Sequence, residues 1–216
     1  MKNNVTRLII VRHAQSESNR AKFYAAATNV NLTEFGRAQA EKTAEFLREY
    51  PIDRAYSSPM VRVIQTAKPI IRGRDLELEI EPDLREIDGG LWEGLSYREI
   101  ENCYHHERGL CHNDFINCVC PGGDSVYELY HRVKRAFEKI IAENRGKSVL
   151  VASHATPIRL MLTQFSGKPI KEANNTPWPE NASVTVVDCF ADGTYNLILK
   201  AHDEHLKNAT LFAQAD

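Results

Sequence analysis

The chain predicts an α/β fold: a three-layer sandwich with a mostly parallel sheet, helices on both faces and an antiparallel edge. Three observations predict it. Short apolar runs alternate with longer segments of helical period, as in parallel sheets covered by crossover helices. Two of these runs, Leu8 to Val11 and Val149 to Ala152, are continuously apolar, as buried strands are. Near the end, Ser183–Cys189 and Thr194–Ala201 are β-rich and joined through Ala191-Asp192-Gly193, a hairpin signal that supplies the antiparallel pair. With 216 residues, 43% of them hydrophobic, the chain is long enough to bury a sizeable core. It is expected to form one domain over residues 1–216, with an insertion at 88–123.

The first strand runs into Arg12-His13-Ala14. From Thr33 to Glu49, Phe35, Ala38, Phe46 and Leu47 lie among charges, and Thr33 followed by Glu34 is a helix start, so an amphipathic helix is expected there. Ile52 to Ser57 is the next strand. Ser58 then reads as an N-cap with Pro59 at the first helical position, which puts Arg62 in the opening turns of a helix. Leu76, Leu78 and Ile80 alternate with glutamates, the period of a strand with one wet face at a sheet edge.

No period holds from Asp88 to Gly123. That stretch mixes Gly89-Gly90, Trp92, Tyr104, His105-His106 and four of the five cysteines, and is expected to fold over the site as a lid. The clearest helix follows from Ser125 to Glu143, with Val126, Leu129, Tyr130, Val133, Phe137, Ile140 and Ile141 on one face. Ser125 with Glu128 makes a capping box. Lys147–Ser153 is a strand, and Thr156-Pro157 repeats the cap-and-proline pattern, which leaves His154 just before a helix N-terminus.

A formal net charge of −2 gives no reason to expect nucleic acid or an anionic membrane as a partner, so any preference for phosphate must be local. From Met1 to Arg7 there is no apolar run long enough for a signal peptide or membrane span, so a cytoplasmic address is expected. Asn181-Ala182-Ser183 and Asn208-Ala209-Thr210 then carry no weight as glycosylation sites. Five cysteines, an odd number, fit reduced thiols better than a disulfide framework.

Strands of an open α/β sheet present their carboxyl ends to the ligand crevice, so His13, His154 and Arg62 are expected to meet at one edge, a site suited to an anion. Arg12-His13-Ala14-Gln15-Ser16-Glu17-Ser18-Asn19 resembles the Arg-His-Gly signature of the histidine phosphatase (phosphoglycerate mutase-like) superfamily. Further blocks agree in order: Asn31 to Gly36, Ser57 to Ala67, Leu84 to Asp88 followed by Trp92-Glu93-Gly94, Pro121 to Ser125, and Ser153-His154. The resemblance implies phosphoryl transfer through a phosphohistidine on His13, with Glu86 as proton donor in the phosphatase branch.

The residue types suit that chemistry. Neutral imidazole is a competent nucleophile when its other nitrogen is held by an acceptor such as a backbone carbonyl. Arg12 and Arg62 offer planar forks for phosphate, His154 would donate its proton to the same oxygens, and Asn19 and Ser16 are further candidates, weighed against simple capping. Asp88 and Glu93 compete with Glu86 for the acid role. Arginines and histidines supply the charge, so no metal and no cofactor is expected; the Cys103 to Cys120 cluster lacks the paired spacing of structural zinc sites.

Two departures from the family pattern are visible. Ala14 stands where glycine is usual and is expected to tighten the pocket, and Pro157 has no N–H for a ligand. Hydrolysis of a small phosphomonoester, a small phosphorylated metabolite, is the expected function. A phosphoglycerate mutase and a non-catalytic phospho-ligand binder are the alternatives. Trp92, Tyr97, Tyr104, Arg108 and Phe115 are expected walls for the ester group, with Arg108 and His105 or His106 favouring a second negative group.

Overall fold

A computed structural model describes residues 5–207, so Met1 to Asn4 and the Asn208-Ala209-Thr210 match lie outside the described residues. A six-stranded sheet is built from β1 (Thr6–Arg12), β2 (Arg54–Ser57), β3 (Leu78–Ile80), β4 (Ser148–Ser153), β5 (Val184–Cys189) and β6 (Tyr195–His202), in the order β3-β2-β4-β1-β5-β6. The pairs β3–β2, β2–β4 and β4–β1 are parallel, and β1–β5 and β5–β6 are antiparallel. The expected mixed sheet with an antiparallel edge is therefore present, and β3 takes the opposite edge. In the register of β1 with β4, Arg12 lies opposite Ser153, so His13 and His154 leave the sheet side by side.

The helices are α1 (Glu17–Ala21), α2 (Glu34–Phe46), α3 (Val61–Ile71), α4 (Tyr97–Cys103), α5 (His105–Asn113), α6 (Val126–Glu143), α7 (Ala155–Phe165) and α8 (Glu204–Lys207). Alternation along the central strands assigns them to two faces. Leu8, Ile10, Val149 and Val151 are buried with Phe137 of α6 and Leu160 and Phe165 of α7. Ile9, Val11 and Leu150 are buried on the other face with Leu47 after α2 and Ile70 of α3. Each such side chain contributes about 2 kcal/mol of burial, so the two central strands are the most firmly held elements, and they carry the site. Among the described residues no helix is long and apolar enough to cross a membrane.

Several local expectations are corrected. Helix α3 begins at Val61 with Met60 at its cap, not at Pro59 after Ser58, because the Ser58 hydroxyl is drawn to His154 Nε2 at 2.8 Å. Helix α7 begins at Ala155 with His154 itself at the N-cap position, so Thr156 lies inside the first turn and its N–H goes to Glu86. The 88–123 stretch is not irregular throughout. It contains α4, α5 and two 3₁₀ turns, Gly90–Trp92 and Phe115–Asn117. The thiols are not all free: Cys111 in the last turn of α5 and Cys118 after the second 3₁₀ turn form a disulfide, because the chain reverses between them and brings their Cα atoms to 4.4 Å.

Candidate active site

The strand ends open into a cavity of about 610 Å³ lined by Arg12, His13, Asn19, Arg62, Glu86 and His154. His13 continues β1 by one residue. Its N–H donates to the Ser153 carbonyl at 3.0 Å, and its own carbonyl accepts from Ala182 N at 3.2 Å and Asn181 Nδ2 at 2.9 Å. The backbone on both sides of the imidazole is thereby fixed. Nδ1 lies 2.8 Å from the Ala14 carbonyl, which can only accept, so Nδ1 carries the hydrogen and Nε2 is left with its lone pair. Burial, reinforced by Arg12 and Arg62, pushes the His13 pKa well below the ordinary histidine value, so the ring is neutral at physiological pH.

Two arginines supply the charge. Arg12 donates through Nη1 to the Pro179 carbonyl at 2.6 Å, while its buried Nε has no protein partner among the described residues. An anion's oxygen would satisfy it. Arg62, 1% exposed, stands in the first turn of α3 and donates to the Thr28 and Ala26 carbonyls at 3.0 and 2.9 Å. Burial lowers the pKa of both guanidiniums, but from so high a starting value that both stay charged.

His154 is fully buried, its ring centroid 5.3 Å from that of His13. Burial, then Arg62, His13 and Arg12, hold its pKa well below the ordinary value. It is therefore neutral, with a single N–H to offer. With Nε2–H on Ser58, Nδ1 accepts from Arg62 Nη2 at 3.4 Å; with Ser58 as the donor, a hydrogen on Nδ1 is available to an anion.

Glu86 follows a 3₁₀ turn, Pro82–Leu84. Its Oε1 accepts from Ile87 N at 2.9 Å and its Oε2 from Thr156 N at 3.2 Å, in the first turn of α7. The competing carboxylates are engaged elsewhere. Glu93 accepts from Ala26 N, Ala27 N, Thr28 N and the Thr28 hydroxyl, which ties the 26–28 loop to the 88–123 segment. Asp88 accepts from Gly90 N, and neither residue lines the cavity.

Asn19 and Ser16 part company. Ser16 caps α1 and gives its hydroxyl to Asn19 Oδ1, with Ser18 Oγ also within 2.9 Å; it is fully buried and does not line the cavity. Asn19 closes the same capping box through Oδ1, which also accepts from Asn181 Nδ2, and it does line the cavity. Its amide nitrogen is thus both oriented and available. Ala14 does not narrow the pocket as expected. Its methyl packs with Leu32, Ala40 and Ala182 on the α2 side, and its N–H is taken by the Thr66 hydroxyl at 3.0 Å.

The outer wall comes from the 88–123 segment and α7. Trp92, 2% exposed, stands edge-on to Tyr24 at 5.9 Å, with the Arg108 guanidinium 5.8 Å from its ring. Tyr97, Arg108 and Phe115 line the cavity, but Tyr104 stands behind Trp92, and His112 rather than His105 or His106 reaches the wall. The cysteines disperse: Cys103 is exposed, Cys111 and Cys118 are bonded, and burial pushes the Cys120 thiol up to about 12, which makes it unreactive. Two residues escaped sequence reasoning. Arg159 lies one helical turn beyond Ala155, its guanidinium 4.4 and 4.2 Å from the Phe115 and Trp178 rings, which meet edge-on, and the i, i+4 spacing from the cavity-lining Ala155 was the signal for it. Ser58, read as a cap, is the partner of His154.

A neutral imidazole with a free Nε2 lone pair, in one cavity with a buried and a half-buried arginine at the carboxyl ends of parallel strands, is an arrangement suited to phosphoryl transfer. The family assignment follows: the histidine phosphatase superfamily (branch 1) matches residues 8–201, and the chain belongs to it. Over 199 residues the chain is 31% identical to phosphoserine phosphatase 1 of Hydrogenobacter thermophilus, covering 91% of this chain and 92% of that protein. It is 29% identical over 163 residues to the adenosylcobalamin/alpha-ribazole phosphatase of Salmonella typhimurium, covering 76% and 81%. In fold it is similar to Bacillus stearothermophilus YhfR, with a TM-score of 0.88, 23% identity and coverage of 94% and 100%. It is likewise similar to the phosphoglycerate mutase of Bacillus anthracis, with a TM-score of 0.84, 23% identity and coverage of 95% and 96%.

Proposed function

We propose that this chain hydrolyses small phosphomonoesters through a phosphohistidine on His13, without a metal. The observation that carries this is the 2.8 Å contact of His13 Nδ1 with the Ala14 carbonyl, which leaves Nε2 unprotonated in a cavity lined by the buried Arg62 and the half-buried Arg12. Nε2 attacks phosphorus, the bond from phosphorus to the ester oxygen breaks, and the Glu86 carboxyl gives its proton to the departing oxygen. Water then attacks phosphorus, Glu86 takes a proton from it, the P–N bond breaks, and inorganic phosphate leaves with His13 neutral again. Arg12, Arg62, His154 and Asn19 hold the phosphoryl oxygens throughout, where charge develops in the transition state. Residues 88–123 act as the lid that selects the ester group, within one domain.

The experiment is phosphate release from a panel of phosphomonoesters in EDTA, with phosphoserine and alpha-ribazole phosphate included because relatives carry those names. The expected result is metal-independent release that His13→Ala abolishes. Release from no ester, with phosphate instead passed between positions of a sugar acid, supports a mutase. Undiminished release by His13→Ala refutes the assignment of the nucleophile.

A further inference from the structure

The carboxyl of Glu86 sits on a loop with no regular ladder of its own, between the 3₁₀ turn at Pro82–Leu84 and Gly90. Besides the Ser153 hydroxyl, which donates to the Leu84 carbonyl at 2.8 Å, the loop's backbone is held by a side chain from across the domain. Arg132, on α6, donates through Nη1 to the carbonyls of Asp83 at 2.9 Å and Arg85 at 3.1 Å, and through Nη2 to the carbonyl of Glu86 at 3.1 Å. Nη2 also lies 3.4 Å from Asp124 Oδ2, and that same oxygen accepts from Asp88 N at 3.2 Å while Asp124 N donates to the Asp88 carbonyl at 2.9 Å. One planar fork and its carboxylate thus tie down the backbone on both sides of Glu86, at positions 83, 85, 86 and 88. The Arg132 side chain is only 14% exposed, and its rigid planar fork spans three peptide carbonyls and one carboxylate, a geometry that fixes the loop's backbone.

We infer that Arg132 is the positioning residue for the proton donor: it touches no reacting atom, and it sets where the Glu86 carboxyl stands relative to the leaving oxygen. This rests on the proposed role of Glu86. A general acid matters in proportion to how poorly the ester oxygen leaves, so displacing it has a signature that general unfolding or loss of phosphate binding lacks. A displacement of about 1 Å at a catalytic group costs on the order of 10²-fold. An alkyl phosphate needs its leaving oxygen protonated; p-nitrophenyl phosphate, whose phenolate is stable near neutral pH, does not.

The test compares kcat/KM for glycerol phosphate and p-nitrophenyl phosphate in the native protein, Glu86→Gln, Arg132→Met, Arg132→Lys and the double variant Arg132→Met/Glu86→Gln. Glu86→Gln should lose on the order of 10²-fold or more on the alkyl ester and far less on the aryl ester. Arg132→Met should reproduce that selectivity with a loss of about 10- to 100-fold on the alkyl ester. Arg132→Lys, which keeps the charge but not the fork, should fall between native and Arg132→Met, and it carries the test if Arg132→Met does not fold. In the double variant the Arg132 substitution should add little, because the group it positions is already gone. Equal losses on both esters, or full additivity in the double variant, would overturn the inference while leaving Glu86 as the acid. No selectivity in Glu86→Gln itself would overturn both the acid assignment and the role of Arg132.

Discussion

The inner and outer halves of the cavity are built by different means. In the inner half, the charged and imidazole groups are held mostly through backbone: His13 and His154 extend adjacent strands, and the Ala14, Ala26, Thr28 and Pro179 carbonyls orient His13, Arg62 and Arg12, while the His154 ring meets the Ser58 hydroxyl and Arg132 grips the backbone around Glu86. In the outer half, the wall is made of side chains on short helices, pinned by a disulfide, edge-on rings, the Arg159 guanidinium over Phe115 and the Glu93 clasp on the 26–28 loop. Backbone anchoring is indifferent to the identity of most side chains, whereas the outer wall changes with each substitution. One half is suited to invariant chemistry and the other to selection of the ester group.

The largest break in that contrast should come from His13→Ala, with kcat/KM falling on the order of 10⁴-fold or more for every ester, since the proposed nucleophile itself is lost. Arg62→Met should cost about 10²- to 10³-fold, again on all esters, because it removes charge from the phosphoryl group and also releases the Thr28 and Ala26 carbonyls. Steady-state kinetics across three unrelated esters checks both. A loss confined to one ester would dissolve the distinction between the halves.

Outer-wall changes should behave otherwise. Replacing the disulfide in Cys111→Ser/Cys118→Ser should lower stability by about 2 kcal/mol, read from denaturant unfolding, and change KM differently for different esters while kcat moves little. A uniform fall in kcat would place this segment in the chemistry instead.

Acid sharpens the comparison from the inner side. His13 and His154 are buried neutral with depressed pKa values, so below their ordinary value of 6.5 the unfolded chain binds more protons than the folded one. Stability is therefore full above that pH and is lost as pH falls through it. Melting temperature should drop between pH 7 and 5, and less steeply in His154→Asn. The smallest effect is expected for Ala14→Gly, with kcat/KM changed less than about twofold and stability lowered by about 1 kcal/mol, because the methyl belongs to the cluster with Leu32, Ala40 and Ala182.

Legibility in the sequence follows the same division. Continuous apolar runs marked β1 and β4, and the residues after them, His13 and His154, came with the strands; Thr33 and Ser125 cap α2 and α6 as their side chains predict. The starts of α3 and α7 were misplaced because Ser58 and Thr156 answer to His154 and Glu86, partners distant in sequence. Helices α4 and α5 showed no period because each buries a single residue, Ile100 and Cys111, too few for a stripe. The Cys111–Cys118 pairing and the hold of Arg132 on the Glu86 loop depend on chain reversals that composition and spacing do not encode.

The central claim is the covalent intermediate on His13, and the stereochemical course at phosphorus tests it most directly. A phosphorothioate ester made chiral with two oxygen isotopes is hydrolysed in water carrying the third, and the configuration of the thiophosphate is determined. Two successive in-line displacements, first by His13 Nε2 and then by water, predict retention. Inversion would mean that water attacks the ester directly, and would contradict the phosphohistidine.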